Sequence, residues 1–233
     1  DLDLSEAKEP AFKSLQACFI RELKDGLRPI EKDSSVVTSP CDAIIGAFGT
    51  INQGRVFQAK GFPYSLQELV HDHELVKPLE GGCYVTLRLK SSMYHRFHAP
   101  IDCDVNEVNY ISGDTWNVNP IAIKRIEKLY CKNERAVVQL KTKKTDQGLV
   151  IVPVAAILVA SMKFHCLDET LDLQYKGANK LACSASYQKG DQMGYFQHGS
   201  TIILLAPSSY QVCETIKSGE RIAMGQALLR LVE

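Results

Sequence analysis

From Val36 onward the sequence is cut into short apolar runs, and this restricts it to a β-rich fold. The runs are AIIGAFGTI (43–51), RVFQA (55–59), CYVTLRL (83–89), EVNYIS (107–112), AVVQLKT (136–142), GLVIVPVA (148–155), STIILLAP (200–207) and QALLRLV (226–232). Each is too short for a buried helix, is rich in Val, Ile, Leu, Tyr or Phe, and is bounded by Gly, Pro, Asn or Asp. The longest apolar stretch, LVIVPVAAILVASM (149–162), falls short of the roughly 18–20 residues of a membrane-spanning helix, and Pro153 interrupts it. It reads as one or two buried strands.

Helical patterns are few. Phe12, Leu15, Phe19 and Leu23 recur at helical spacing, and Gly26 and Pro29 end that pattern, so residues 1–33 are expected to form a helical arm followed by a loop. SLQELVHDHELV (65–76) opens on a capping Ser65. PIAIKRIEKLY (120–130) follows a capping Asn119, with Pro120 suited to the first helical position. A short helix is also expected within Tyr210–Ser218. KTKKTDQG (141–148) reads as a solvated hairpin loop, or more weakly as a patch for anionic headgroups. In the tail, TIKSGERIAMGQALLRL (215–231), two glycines bracket short strands in the manner of lipoyl- and biotinyl-type barrel-sandwich domains. The expected fold class is therefore α+β and β-rich: a single compact domain (34–233) with a barrel-sandwich-like β core, preceded by the arm (1–33).

Composition removes several classes. Lys+Arg and Asp+Glu both number 27, so no basic excess points to nucleic acid. The eight cysteines are scattered singly, with no C-x-x-C and no histidine cluster at zinc spacing. Free thiols in a reducing compartment, and no metal, are the expectation. The sequence begins at Asp1 rather than Met, so a longer or processed product is expected, of which any targeting or anchoring segment is not part of this sequence.

Three stretches carry chemistry. GYFQHGSTIILL (194–205) sets Gly199, Ser200 and Thr201 at the mouth of a buried strand, with His198 just ahead. SMYHRFHAP (92–100) holds His95 and His98, which in extended chain face different partners. TSPCDAIIGAFG (38–49) leads Asp42 into a strand, where it is available to orient a histidine. Asp42, His98 and Ser200 make up an Asp-His-Ser set. Ser200 lacks the G-x-S-x-G elbow of hydrolases and follows Gly199 directly, so its own upstream carbonyl is a target. His165 and the HDH at 71–73 read as solvated or structural.

With these motifs in hand, the chain resembles the phosphatidylserine decarboxylases, a pyruvoyl-dependent family. FIRELKDGLRPI, TSPCDAIIG, QAKGFPYSLQELV, YHRFHAP, SGDTWNVNP, KNERAVV and KGDQMGYFQHGSTIILLAP match the family's segments in order. YHRFHAP and the cleavage region are the specific ones. Departures are Ala43 where Gly is usual, His198 in place of Leu, and Ala where Gly is common in AAILVAS (155–161).

The resemblance implies a mechanism. His98, held by Asp42, would act as base on the Ser200 hydroxyl, which attacks the Gly199 carbonyl, with backbone N–H groups or Thr201 on the oxyanion. Elimination and loss of ammonia would leave chains 1–199 and 200–233, with a pyruvoyl group in place of Ser200. That group would form a Schiff base with phosphatidylserine and act as electron sink while carbon dioxide leaves. His95 would return the proton, and hydrolysis would release phosphatidylethanolamine. The resemblance further implies a homodimer, peripheral on a bacterial cytoplasmic or mitochondrial inner membrane, with Ala11–Leu23 either at the interface or packed on its own domain. Two alternatives stay open: a pyruvoyl-dependent decarboxylase of free, for example aromatic, amino acids, and an uncleaved, non-catalytic lipid-binding homologue. A lipoyl-type carrier is the most distant reading, because no lysine sits in an obvious swinging-arm turn.

Overall fold

The apolar runs become strands. A computed structural model describes residues 2–59, 62–142, 148–157, 161–197 and 200–232. Its strands are β1 Val36–Thr38, β2 Ala43–Thr50, β3 Arg55–Ala59, β4 Phe62–Ser65, β5 Cys83–Leu89, β6 Arg96–His98, β7 Cys103–Ile111, β8 Arg135–Thr142 and β9 Leu149–Ala155. There follow β10 Met162–Phe164, β11 Thr170–Leu171, β12 Lys180–Tyr187, β13 Gln192–Phe196, β14 Ser200–Ala206, β15 Tyr210–Val212, β16 Arg221–Ile222 and β17 Ala227–Leu231. The helices are short: α1 Leu15–Phe19, α2 Leu66–Val70, α3 His73–Val76, α4 Pro120–Ile123 and α5 Leu129–Lys132.

The largest sheet is antiparallel, in the order β12-β7-β8-β9-β14-β5-β2-β16. Its residues alternate between two cores, as the pleat requires. On one face Leu87, Val138, Ile151, Ile202 and Leu204 pack with Phe97, Phe164 and Phe196 of a four-stranded sheet, β11-β10-β13-β6. On the other face Val137, Val152 and Ile203 pack with Leu66, Leu69 and Tyr130 from the helical side. Both faces are covered, so β9 and β14 are buried at every position and read as unbroken apolar runs. Pro153 sits inside β9. It has no N–H to donate, and the β8–β9 ladder skips the positions around it while β14 still pairs through Ile202↔Pro153. Among the described residues the sheets form no closed barrel: β12 and β16 end the large sheet, and the C-terminal β15 and β17 join β1 in a separate three-stranded sheet.

Both predicted caps form, from Ser65 Oγ to the Gln67 N–H (3.1 Å) and from Asn119 Oδ1 to the Ala122 N–H (2.8 Å). The 65–76 pattern splits at His71, whose φ of 57° ends α2, and Asp72 caps α3 afresh. Two expectations change. The stretch from Tyr210 opens as strand β15, because β17 offers it an edge to pair with. Of residues 1–33 only α1 is helical. The Arg96 Nε–H donates to the carbonyls of Ile20 and Arg21 (2.8 and 3.2 Å), which draws the chain out of the helix, and Leu15 is left 90% exposed. β8 and β9 pair antiparallel; the hairpin loop expected at 141–148 falls largely on residues 143–147, which lie outside the described residues. The cysteines are unbridged.

Gly194 fixes how closely the four-stranded sheet closes. A Cβ there would overlap the Lys163 carbonyl oxygen and stand 2.6 Å from Phe97 Cζ. Gly194→Ala is predicted to cost about 3 kcal/mol through overpacking, while exposed Leu15→Ser stays within about 0.5 kcal/mol of the parent. Urea unfolding of both variants checks this.

Candidate active site

The chain crosses from one packed sheet to the other where the sequence placed its scissile bond. β13 ends at Phe196 in the four-stranded sheet, and β14 begins at Ser200 in the middle of the large one. His198 and Gly199, between them, lie outside the described residues. The Gln197 N–H donates to the Ser161 carbonyl at 3.0 Å and fixes the departure from β13. Ser200 stands opposite Leu89 on β5 and Ala155 on β9, fully buried. Its Oγ has no hydrogen-bond partner among the described residues. A buried hydroxyl in that state costs about 1–3 kcal/mol, so Ser200 is not placed there for stability.

His98 ends β6 and is 7% exposed. Its backbone N–H donates to the Pro40 carbonyl (2.8 Å), which ties it to the segment carrying Asp42. Its ring is held at both nitrogens, with Nδ1 2.8 Å from the Gly190 carbonyl oxygen and Nε2 2.9 Å from the Tyr94 hydroxyl. A carbonyl can only accept, so Nδ1 carries the proton. In the neutral ring Nε2 then accepts from the Tyr94 O–H and is the basic nitrogen. Burial pushes the His98 pKa down; the Gly190 bond and the Asp42 charge oppose that, while Arg96 and His165 add to it. Beside this ring lies a cavity of about 390 Å³ lined by Leu23, Arg28, Tyr94, His98, Gln192 and Met224, among others.

His95, also buried, lies three residues earlier, just before β6. Its carbonyl accepts from the Phe196 N–H (3.0 Å), so it flanks the exit of β13. Its Nδ1 is 2.9 Å from the Met93 carbonyl oxygen, which makes Nδ1–H the donor and Nε2 the basic nitrogen of the neutral ring. Phe19 of α1 stacks on its ring at 3.9 Å.

Asp42 differs from expectation. The structure does not bond it to His98: its carboxylate takes the Arg28 guanidinium (Nε 2.9 Å, Nη2 2.6 Å) and the Met224 N–H (2.9 Å). The fork of Arg28 matches a carboxylate with two parallel charge-assisted bonds, which a single imidazole N–H cannot equal. Arg28 also pairs with Glu6 (2.7 Å), and the two carboxylates push its pKa up. Asp42 thus acts on His98 through its charge, and Ser200 is hydrogen-bonded to neither.

Sequence reasoning missed Arg28, Tyr94 and Gln192. Each lies inside a quoted motif, but nothing in a motif says which member touches which. Gln192 joins the site by accepting from Arg96 Nη1 at 2.7 Å. The KNERAVV segment also resolves into separate tasks. Asn133 Nδ2 clamps the carbonyls of Trp116 and Ala155 (2.7 and 2.9 Å), the Tyr110 hydroxyl donates to Glu134, and buried Arg135 donates to the carbonyls of Leu69, Cys131, Asn133 and Glu68. Among the described residues no group of three His, Cys, Asp or Glu is placed to hold a metal.

Fold and site define a β-rich enzyme domain in which a buried serine heads the central strand, with two tautomer-fixed histidines on the layer above. Comparison with known proteins supplies the family. The phosphatidylserine decarboxylase family model matches residues 15–230, and the chain belongs to that family. It is 35% identical over 240 residues to a phosphatidylserine decarboxylase proenzyme of Aliivibrio salmonicida, covering 97% of this chain and 82% of that protein. Proenzymes of the same name from Brevibacillus brevis (33% identity, 97% and 83% covered) and Myxococcus xanthus (35%, 88% and 73%) are similar to it.

The depressed His98 pKa makes a stability prediction. The unfolded chain binds this proton at higher pH than the folded one, so the contribution is present above about pH 6.5 and is lost as pH falls toward the folded value. In a Ser200→Ala background, adding His98→Gln is expected to flatten the fall in unfolding free energy between about pH 7 and pH 5. Urea titrations at each pH measure it.

Proposed function

We propose that this chain cuts itself between Gly199 and Ser200 and then decarboxylates phosphatidylserine to phosphatidylethanolamine and carbon dioxide, using a pyruvoyl group made from Ser200. The observation that carries the reading is the buried Ser200 hydroxyl, without a hydrogen-bond partner among the described residues, at the head of β14 next to the end of β13 in the other sheet. The proenzyme names of the relatives support it.

In self-cleavage the Ser200 hydroxyl attacks the Gly199 carbonyl. His98 Nε2 takes its proton once the Tyr94 hydroxyl turns away, with Nδ1 held by Gly190 throughout. The Asp42 charge favours the imidazolium that forms, and release of Asp42 from Arg28 is the step that would bring it to the ring. The cut leaves β14 paired to β5 and β9 along its length, so the fragments 1–199 and 200–233 stay folded together.

Position 200 fits the resulting group. It is fully buried and bordered by Ala155 and Leu89, which would shield an electrophile from bulk solvent. When formed, the pyruvoyl group supplies the carbonyl that takes up the substrate amine and accepts the electron pair released with carbon dioxide. His95 Nε2, on the neighbouring layer, delivers the proton to the product carbon. The substrate lies in a membrane, where we place the enzyme as a peripheral homodimer on a bacterial cytoplasmic or mitochondrial inner membrane. No helix among the described residues is long and apolar enough to cross a membrane.

The test is incubation of purified protein with phosphatidylserine vesicles and, separately, a panel of free amino acids, reading carbon dioxide and fragment masses. The parent is expected to show two fragments and to release carbon dioxide from phosphatidylserine, with hydroxylamine blocking turnover. Ser200→Ala stays intact and inactive. Release from an amino acid alone, or turnover by an uncut chain, contradicts the proposal.

A further inference from the structure

Glu134 stands on the row of the large sheet that contains Ser200. The Ala155 N–H donates to the Glu134 carbonyl at 2.9 Å, extending the register Arg135↔Val154 by one residue, and Ala155 in turn faces Ser200 on β14. Residues opposite one another in a sheet point to the same side, so Glu134, Ala155 and Ser200 all face the four-stranded sheet. Ala136, Ala155 and Ile202, which belong to the core on that side, confirm the face. The Ala155 N–H and carbonyl both point to the β8 side, to the Glu134 carbonyl and to Asn133 Nδ2, while the Glu134 N–H turns away to the Asp114 carbonyl (2.8 Å), so Ala155–Ser200 is of the closer, side-chain-facing kind. Glu134 and Ser200 thus flank Ala155 on one row, with its methyl group between their side chains.

Both ends of this gap are polar and unsatisfied. Glu134 is fully buried, and one carboxyl oxygen accepts from the Tyr110 hydroxyl while the other, Oε2, has no hydrogen-bond partner among the described residues. Ser200 Oγ is in the same condition. Two orphaned polar atoms across an alanine have no structural use, since buried polar groups are almost always paired. They suit a small polar ligand lying over Ala155, bonded to the carboxylate at one end and reacting at position 200 at the other.

We propose that Glu134 receives the ammonium group of the substrate's serine headgroup, holding it over Ala155 beside position 200 and taking one proton from it as the amine becomes a nucleophile. The step balances: R–NH3+ and the carboxylate give R–NH2 and the carboxylic acid. It rests on the function proposed above and names the residue that selects the amine. A carboxyl that exchanges a proton with an ammonium near neutral pH needs a raised pKa, and burial, with the nearby Asp172 charge, pushes Glu134 up to about 7 against the Tyr110 bond. Tyr110 on β7 and Asp172 are the groups that face it from neighbouring elements, and the Tyr175 ring meets Tyr110 edge to face.

The test uses Glu134→Gln, which keeps an oxygen for the Tyr110 hydroxyl, and Glu134→Asp, which keeps the charge one methylene further back. A merely structural Glu134 predicts that Gln behaves as the parent. Our expectation is complete self-cleavage in both variants, with KM for phosphatidylserine raised about tenfold or more in Gln and less in Asp, and with the acid limb of the kcat/KM profile lost in Gln. Independent of turnover, infrared difference spectra of the processed parent should show a protonated-carboxyl band, absent in Gln, that changes on adding phosphatidylserine but not phosphatidylglycerol, which lacks the amine. Unchanged KM and pH profile in Gln, or a band that ignores the amine, overturns the role of Glu134 alone. A parent that does not turn over phosphatidylserine overturns the function reading and this inference together.

Discussion

Strand β14 is bonded along its length to β5 on one side and β9 on the other, and Ser200 is its first residue. Everything at the site follows from that double pairing. It holds Ser200 in the middle of the sheet, away from water. It allows the peptide link before Ser200 to be dispensable, because the strand is retained by its ladders and by two cores of buried side chains. It also sets the sheet row on which Glu134 and Ala155 meet position 200. An edge strand would lose its end once cut, whereas a central one keeps it.

The second layer carries His95 and His98. β6 and β13 pair with each other, with Gln192↔His98 in register, and Phe97 and Phe196 anchor both strands in the core. His95 and His98 therefore ride on a surface that cannot slide relative to β14. Each has its tautomer fixed by a backbone carbonyl, Met93 for one and Gly190 for the other, so a carboxylate is not needed for that purpose. Asp42 is occupied with Arg28, and that pair also ties the N-terminal segment, through Glu6, to the entrance of β2. In this arrangement His98 Nε2 rests on Tyr94, and Asp42 rests on Arg28.

Much of this was legible in the sequence, and the boundary is physical. The strands were readable because short β-branched runs between turn residues have few other uses, and the caps at Ser65 and Asn119 because capping is local. The N-terminal arm was misread because α1 ends where Arg96, far along the chain, takes its carbonyls. β15 was missed because an edge on β17 decides it. Ser200, His98 and Asp42 stand out as a residue set and His95 takes its role from a family motif, and neither signal says what these residues touch. Hence Arg28, Tyr94 and Glu134, though inside those motifs, acquired roles only when the register and the faces were known.

A high-resolution density map of protein that is demonstrably turning over phosphatidylserine tests the central claim most directly. The account predicts a break in the main chain between residues 199 and 200, a keto-acyl group instead of an amino group at the head of β14, and the pairing of that position with Leu89 and Ala155 retained. Unbroken density through the bond in such a preparation would contradict it.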